Sequence, residues 1–275
     1  MFDNYTHLEH GVIYIDENIP GPKENTPEYG IISENFNSQL THSCACIGKC
    51  LEDTCQCLQI SGGANYILHD QNSTEQEIFI LNRNKNINNY PIIECSDLCK
   101  CFKYCGNRLV QNGPLPILLP KSCDNRSKGL GLFINSYIPK GMFICEYAGE
   151  VITKKQALSR HDFNKLYGKM NYIFCLQEHV DEKSIQTFVD PSKFGNIGRY
   201  VNHSCEPNCE IIPVRVNTPI PKLAIFSSTA ISSGTEITID YGANTNDSIS
   251  ENVSVRKKCL CGSINCKQFM PYDCY

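Results

Sequence analysis

Two dense groups of cysteines constrain this chain more than any other feature of its sequence. The segment CACIGKCLEDTCQC holds five of them, and a second group of four follows with the spacing C-x3-C-x-C-x3-C. Thiols packed this closely serve either as disulfides or as metal ligands. The members of the two groups are Cys44, Cys46, Cys50, Cys55, Cys57, Cys95, Cys99, Cys101 and Cys105.

The amino terminus favours metal over disulfides. The first residues, MFDNYTHLEHGVIYIDENIP, show neither the basic region nor the continuous apolar run of a secretory signal. Intracellular thiols are kept reduced, so the cysteines of a chain that is not exported are expected to bind metal. The sequence also contains no apolar run long enough to span a membrane. We therefore expect metal-bound thiolates and no contact with a membrane.

The count of nine cysteines indicates a shared metal cluster. One tetrahedral zinc ion uses four thiolates, so nine sulfurs fit three zinc ions only if three sulfurs each bridge two metals. Two separate sites with one spare cysteine, or partial disulfides, are the alternatives. Because little apolar sequence surrounds these cysteines, metal should supply much of the folding free energy of this region.

A third group of cysteines lies near the carboxyl terminus. Cys259, Cys261 and Cys266 have the spacing C-x-C-x4-C, which is one ligand short of a zinc site, and Cys205 is the predicted fourth ligand. With all these thiolates and four zinc ions, the formal net charge would fall from −4 to about −9. An acidic protein suits a cationic partner, and this charge does not indicate direct DNA binding.

The rest of the chain is predicted to be mostly β. From about residue 109 onward the sequence consists of short β-type runs bounded by Gly, Pro or Asn. The segment 153–168, TKKQALSRHDFNKLYG, is the one good helix candidate, opened by Thr153 and closed near Gly168. Residues 1–40 are rich in Pro, Gly, Asn and Glu and are predicted to form an irregular arm. Short strands with one inserted helix favour several small sheets.

Two motifs late in the chain resemble a known family. GNIGRYVNHSCEPN (195–208) and EITIDYG (236–242) are similar to the two signature motifs of SET-domain protein lysine methyltransferases. SKGLGLF and EYAGEV resemble the opening strands of that family. The nine-cysteine region resembles its pre-SET zinc cluster, and the C-terminal cysteines resemble its post-SET zinc site. The resemblance implies a SET fold of several small sheets with a knot-like C-terminal threading.

The resemblance also implies a domain organisation. It divides the chain into an N-terminal arm (1–40), a pre-SET module with three zinc ions (41–108), a SET catalytic domain (109–242) and a post-SET module with one zinc ion (243–275).

The reaction implied by the resemblance is methyl transfer from S-adenosylmethionine to a lysine ε-amine by in-line displacement. The amine must be neutral, although the pKa of a free lysine is about 10.4. An apolar channel and the sulfonium charge of the cofactor both lower that pKa. No metal or protein nucleophile is needed, because alignment supplies much of the rate. By resemblance, Tyr241 is the catalytic tyrosine, and Tyr147 lies in the channel near the lysine nitrogen.

The resemblance further implies a set of cofactor contacts, in which the glycine turn is approached through its backbone. These residues are Lys128, Gly129, Leu130, Tyr172, Arg199, Asn202, His203 and Leu260. Two of them have structural alternatives. His203 could be a hydrogen-bonded core histidine, and Arg199 could belong to an ion pair that only stabilises the fold.

One substrate-channel residue departs from the family pattern. Ile239 stands where the family usually has Phe or Tyr, at the position that governs how many methyl groups the channel accommodates. An aliphatic side chain lacks the hydroxyl that holds a water molecule, so we expect di- or trimethylation. The substrate should be an extended cationic tail that adds a strand to an exposed sheet edge.

The family and the charge together favour the tail of the third core histone, and hence action on chromatin, in the nucleus and on the chromosome. A catalytically inactive SET scaffold that binds chromatin or histone tails is the alternative. A secreted, disulfide-rich binder without metal is a third hypothesis.

Overall fold

The structure is a computed structural model. It describes residues 5–50, 54–70, 77–84, 90–180, 183–242 and 257–271, and the statements below concern these residues.

Short strands make up most of the regular structure. In chain order the strands are β1 (Ile13–Tyr14), β2 (Ile19–Pro20), β3 (Tyr66–Leu68), β4 (Phe79–Leu81), β5 (Ile92–Ile93), β6 (Leu118–Ser122), β7 (Leu130–Ile134), β8 (Phe143–Tyr147), β9 (Glu150–Ile152), β10 (Phe174–Val180), β11 (Lys183–Asp190), β12 (Phe194–Gly195), β13 (Asn202–His203), β14 (Cys209–Arg215), β15 (Lys222–Ser227) and β16 (Glu236–Ile239). The helices are α1 (Pro27–Asn37), α2 (Gln56–Ile60) and α3 (Lys154–Leu166), and 3-10 turns lie at Val110–Asn112, Arg126–Lys128 and Ile197–Tyr200.

The strands form small sheets, as the sequence predicted. Three sheets of four strands have the orders β10-β11-β9-β2, β13-β16-β7-β6 and β5-β14-β15-β8, and two further pairs are β1-β12 and β3-β4. Glycines with positive φ make the sharp turns between strands, for example Gly141 before β8 (φ +86°) and Gly234 before β16 (φ +82°). The prediction of a mostly β fold is confirmed.

The main core lies between the four-stranded sheets. Leu132 and Ile134 of β7, Ile144 of β8 and Ile225 of β15 are all at most 1% exposed and belong to one hydrophobic cluster. Strand β8 is buried along its whole length, which explains why its sequence FICEY does not alternate between apolar and polar residues.

Helix α3 confirms the helix predicted at 153–168. The Thr153 hydroxyl accepts a hydrogen bond from the Gln156 backbone N–H, and the Gln156 side chain accepts one from the Thr153 N–H. This reciprocal capping box satisfies two amide groups that the helix itself leaves unpaired. The helix ends at Leu166, just before Gly168, whose φ is +61°.

The prediction of an irregular N-terminal arm is wrong for residues 27–37, which form helix α1. Thr26 caps this helix by accepting a hydrogen bond from the Tyr29 N–H, and Pro27 occupies its first turn. The short helix α2 was also not predicted. The rest of the arm pairs with the SET region, because β1 runs parallel to β12 and β2 runs parallel to β9.

Residues 243–256, the first part of the predicted post-SET module, lie outside the described residues. Within the described part of the chain, no helix is both long and apolar enough to cross a membrane.

Candidate active site and metal-binding groups

The two late motifs lie side by side in one sheet. Strand β13 pairs parallel with β16, with Asn202 opposite Thr238 and His203 opposite Ile239. On its other side β16 pairs with β7, which begins at the glycine turn. The sheet therefore brings together the turn at 128–130, the NHS segment and the IDY segment.

The turn at 197–200 is fixed to strand β8 by Asn196. The Asn196 Oδ1 accepts hydrogen bonds from the N–H groups of Ala148 (3.2 Å) and Gly198 (3.1 Å). Its Nδ2 donates to the Glu146 carbonyl at 2.8 Å. Asn196 lies within the motif GNIGRYVNHSCEPN, but no role was predicted for it. The available signal was an asparagine at the N-cap of a short helical turn.

Tyr241 has its hydroxyl fixed on the protein backbone. The hydroxyl donates to the Val201 carbonyl at 2.7 Å, and the Tyr241 N–H donates to His203 Nδ1 at 3.2 Å. The residue is 37% exposed overall, whereas its hydroxyl end is enclosed. Burial, followed by the nearby Tyr172 hydroxyl, raises the pKa of Tyr241. Tyr241 is therefore a neutral phenol at physiological pH.

Tyr147 and Tyr172 are in direct contact. The Tyr147 hydroxyl donates to the Tyr172 carbonyl at 2.5 Å, and its ring lies 6.1 Å from the ring of Phe174. Tyr147 is 5% exposed. Tyr172 thus contacts Tyr147, and its hydroxyl contributes to the raised pKa of Tyr241.

Arg199 is buried against aromatic rings and an ion-pair partner. Its guanidinium carbon lies 4.7 Å from the ring centroid of Tyr172 and 5.6 Å from that of Tyr200. One guanidinium nitrogen pairs with the Glu9 carboxylate. The ion pair that the sequence analysis named as an alternative is thus present, and so is the contact with Tyr172. Sequence reasoning missed Glu9, because the pairing depends on how the arm folds back.

The glycine turn is held by side chains around it. The Asn202 Nδ2 donates to the Leu130 carbonyl at 2.9 Å, and Lys128 pairs with Glu236 at 2.5 Å between Nζ and Oε2. Gly129 has a φ of +77°, a conformation that L side chains rarely adopt. The Lys128 ammonium is therefore engaged by the protein itself.

His203 links Tyr241 to a cysteine group. Because Nδ1 accepts from the Tyr241 N–H, the ring proton belongs on Nε2, which lies 3.4 Å from the Cys205 Sγ. Burial lowers the pKa of His203, which keeps the ring neutral.

Two remaining predicted residues differ in environment. Ile239 is 1% exposed and packs in the main core. Leu260 is 38% exposed, between two cysteines of the third group.

The third cysteine group converges as the spacing predicted. The Sγ atoms of Cys205, Cys259, Cys261 and Cys266 all lie within 4.8 Å of one another. Four thiols at this separation form a donor set suited to a tetrahedral zinc ion.

All nine cysteines of the first region pack in one cluster, and seven of them form four-sulfur groups, whereas Cys99 and Cys105 belong to none of these groups. Three overlapping four-sulfur groups meet the same distance limit, and Cys44 belongs to all three. Cys50, Cys55 and Cys95 each belong to two of them. Shared sulfurs are what a bridged cluster requires. No disulfide joins two cysteines in the described part of the chain.

Comparison with known families agrees with this geometry. The family model of the SET domain matches residues 129–242, and that of the Pre-SET motif matches residues 3–108. The fold and the site define a SET-domain enzyme with cysteine-rich modules at both ends. The chain belongs to the SET-domain family of histone-lysine N-methyltransferases.

Similar proteins support the assignment over nearly the whole chain. The histone-lysine N-methyltransferase SETMAR of Rattus norvegicus is 38% identical over 268 residues, which cover 92% of this chain and 81% of that protein. The probable histone-lysine N-methyltransferase set-23 of Caenorhabditis elegans is 37% identical over 261 residues, which cover 94% of this chain and 95% of that protein.

Solved structures are similar as well. The methyltransferase domain of human SETMAR superimposes with a TM-score of 0.74 at 33% identity, covering 97% of this chain and 91% of that one. KRYPTONITE in complex with mCHH DNA, H3(1-15) peptide and SAH gives a TM-score of 0.67 at 25% identity. The match covers 94% of this chain and 48% of that one.

Proposed function

We propose that this chain transfers methyl groups from S-adenosylmethionine to a lysine in the tail of the third core histone, and that it forms di- or trimethyl-lysine. The observation that carries the proposal is the pairing of β13 with β16, which places Asn202, His203 and Tyr241 beside the glycine turn. The similar protein KRYPTONITE was solved with an H3(1-15) peptide, which favours the same histone here.

The residues around the glycine turn fit a methyl donor with a cationic sulfur and a polar nucleoside end. We assign Lys128, Gly129 and Leu130 as backbone contacts, because the Lys128 side chain is occupied by Glu236. Asn202 and His203 would form the adjacent wall. Further contacts are assigned to Tyr172, Arg199 and Leu260. The donor supplies an electrophilic methyl group on a sulfonium.

In this proposal the protein aligns the reactants and does not remove the proton from the lysine. Tyr241 is neutral and its hydroxyl is held by the Val201 carbonyl, so it cannot act as a phenolate base near neutral pH. The substrate ammonium would lose its proton to water, because a channel lined by Tyr147 and Ile239 desolvates the charged form and lowers the pKa of the amine. Tyr147 is itself fixed by the Tyr172 carbonyl, so the channel wall is preorganised.

We assign zinc to all thirteen clustered cysteines, with three ions in the nine-cysteine region and one in the third group. The donor sets consist of thiolates only, which suits Zn²⁺. The overlapping four-sulfur groups support shared ligands in the first region, while Cys205 and its three partners form a closed site.

Ile239 supports the expected degree of methylation. It is buried, it pairs with His203 in the sheet, and it stands two residues before Tyr241. An aliphatic side chain here offers no hydroxyl to hold a water molecule against the amine, which leaves room for added methyl groups. A protein with this activity would work on chromatin, in the nucleus and on the chromosome.

Methyl transfer onto an array of histone-tail peptides tests the proposal. We expect labelled methyl groups on a peptide of the third core histone, with di- and trimethyl products by mass spectrometry. Tyr241→Phe should lose about 100-fold in rate because the reacting groups are no longer held in line. Tyr167→Phe, a change at an exposed ring, is the matched control.

Two results would contradict the proposal. Equal rates for the wild type and Tyr241→Phe would remove Tyr241 from the mechanism. Peptide binding without any transfer would favour the inactive scaffold instead.

A further inference from the structure

The carboxylate of Glu236 touches both segments that we assign to the methyl donor. Its Oε2 accepts from Lys128 Nζ at 2.5 Å, and its Oε1 accepts from Asn202 Nδ2 at 2.8 Å. A third donor is the Cys123 thiol, whose Sγ lies 3.4 Å from Oε1. Glu236 is the first residue of β16, and its side chain is 19% exposed. One carboxylate therefore connects β16 to the glycine turn and to β13.

The surrounding backbone is shaped around this carboxylate. A Cβ added at Gly131 would lie 2.7 Å from Glu236 Oε1 and 2.8 Å from Cys123 Sγ, so glycine leaves room for both groups in their present positions. The Cys123 N–H donates to the Gly129 carbonyl at 2.9 Å, which ties the same cluster to the turn itself. Burial and then the charge of Glu236 raise the pKa of Cys123 to about 11, so Cys123 is a thiol that can donate.

We propose that Glu236 is a positioning residue for the methyl donor, acting through Lys128 and Asn202. This inference rests on the proposed assignment of those two residues to the donor site. The carboxylate would hold the turn and the Asn202 amide in the geometry that receives the donor, so that less conformational freedom is lost on binding. Charge-assisted hydrogen bonds suit this task because they are short and strong.

Loss of the Glu236 charge is expected to affect the donor site and not the substrate channel. Glu236 contacts the donor turn and Asn202, whereas the substrate channel is assigned to Tyr147, Ile239 and Tyr241. Loss of the carboxylate charge should therefore weaken donor binding and leave peptide affinity and the rate of the bound complex largely intact. A residue that only supported the fold would lower all three quantities together.

Equilibrium dialysis of isotope-labelled S-adenosylmethionine, without histone, tests the idea. Glu236→Gln keeps the size of the side chain but removes its charge. The new amide nitrogen is a donor, so it cannot accept a hydrogen bond from the Lys128 ammonium. We expect the dissociation constant for the donor to rise about tenfold, which is the size of one lost charged hydrogen bond. The KM for the donor should rise equally, with kcat and the KM for peptide within about twofold.

A double-mutant cycle provides the specific readout. Lys128→Met should weaken donor binding about as much as Glu236→Gln, and the double variant should be no weaker than either single one. Glu178→Gln is the matched control, because Glu178 pairs with Arg215 at 2.7 Å and is similarly shielded at 16% exposed. Its donor affinity should equal that of the wild type.

Three outcomes would overturn the inference. These are wild-type donor affinity in Glu236→Gln, additive losses in the double variant, or an equal decline of donor binding, peptide binding and kcat. If the wild type binds the donor but methylates no histone peptide, the proposed substrate fails and the role of Glu236 still stands on the binding data.

Discussion

Replacing Gly198 by alanine should damage both stability and catalysis, and the structure gives the size of the effect. A Cβ at this position would lie 2.3 Å from the Glu146 carbonyl oxygen and 3.0 Å from the Tyr147 Cα. Both are backbone atoms of β8, a strand that is buried along its whole length. Since ordinary contacts begin near 3.4 Å, the turn at 197–200 must move away from β8 by roughly 1 Å.

This displacement has two measurable consequences. Overpacking of this kind costs about 3 kcal/mol, which lowers the melting temperature by roughly 6–12 °C for a chain of this size. The turn also carries Arg199 and leads directly into Asn202, so these side chains shift relative to Tyr147. A misplacement of about 1 Å at an aligned site costs about 100-fold in rate.

Thermal unfolding by circular dichroism, together with initial rates of methyl transfer well below the melting temperatures, checks both effects. Gly30→Ala is the matched control. Gly30 is exposed in α1 with no atom within 4 Å of an added Cβ, so alanine should stabilise the chain by about 0.5–1 kcal/mol without changing the rate. A Gly198→Ala protein with the wild-type melting temperature and rate would refute the packing argument.

Three further predictions address metal, product and charge. Elemental analysis should find about four zinc ions per chain, and chelation should unfold the nine-cysteine region and abolish activity; an active, folded, metal-free protein would contradict this. Ile239→Phe should shift the mass-spectrometric product toward monomethyl-lysine, at a stability cost of about 1–3 kcal/mol because the site is 1% exposed; an unchanged product ratio would exclude Ile239 from the channel. Burial alone would lower the pKa of Lys222, but the carboxylates of Glu146 and Glu17 outweigh it and raise the pKa to about 12. Because the folded pKa lies above the unfolded value of 10.5, the stabilisation of about 2 kcal/mol is complete below pH 10.5 and is lost as the pH rises through 12. The difference in unfolding free energy between wild type and Lys222→Met should narrow over that pH range in denaturant titrations. A constant difference would show that the ion pair does not cause the stabilisation.

Local signals explain which elements could be predicted. Helix α3 could be predicted because Thr153 at its start and Gly168 just after its end are both local signals, and the structure shows that Thr153 caps the helix. Helix α1 has an equally local start at Thr26 and Pro27, yet it has no fully buried residue. Only Ile32 and Phe36 of this helix pack against the main core, and two partly buried residues are too short a stripe to outweigh the Pro, Gly and Asn content of the arm.

Long-range contacts explain what could not be predicted at the site. The motif residues Asn202 and Tyr241 were identifiable from their sequence context, but the partners that hold them were not. Glu9 reaches Arg199 only because the arm pairs with strands of the SET region. Glu236 stands in a quoted motif, and nothing in its spacing shows that its carboxylate meets Lys128.

The cysteine spacing likewise predicted which residues come together but not all of their contacts. It predicted that Cys205 joins the C-terminal cysteines, and the four sulfurs do converge. In the other region the count of nine indicated shared sulfurs only if three zinc ions are bound, and it did not identify which sulfurs are shared. The overlap of groups at Cys44 is a property of how the two loops fold against each other.

The imidazole of His203 explains why metal and activity should be coupled in this chain. A neutral imidazole carries one proton, and Nδ1 is already the acceptor for the Tyr241 N–H, so Nε2 must donate toward the Cys205 sulfur. A zinc-bound thiolate is a stronger acceptor than a neutral thiol and would fix this ring orientation. If the metal is removed, Cys205 takes up a proton and competes as a donor, and the backbone of Tyr241 loses the partner that orients it. Zinc would thus act on catalysis through the geometry of one hydrogen-bonded chain, without touching the substrate.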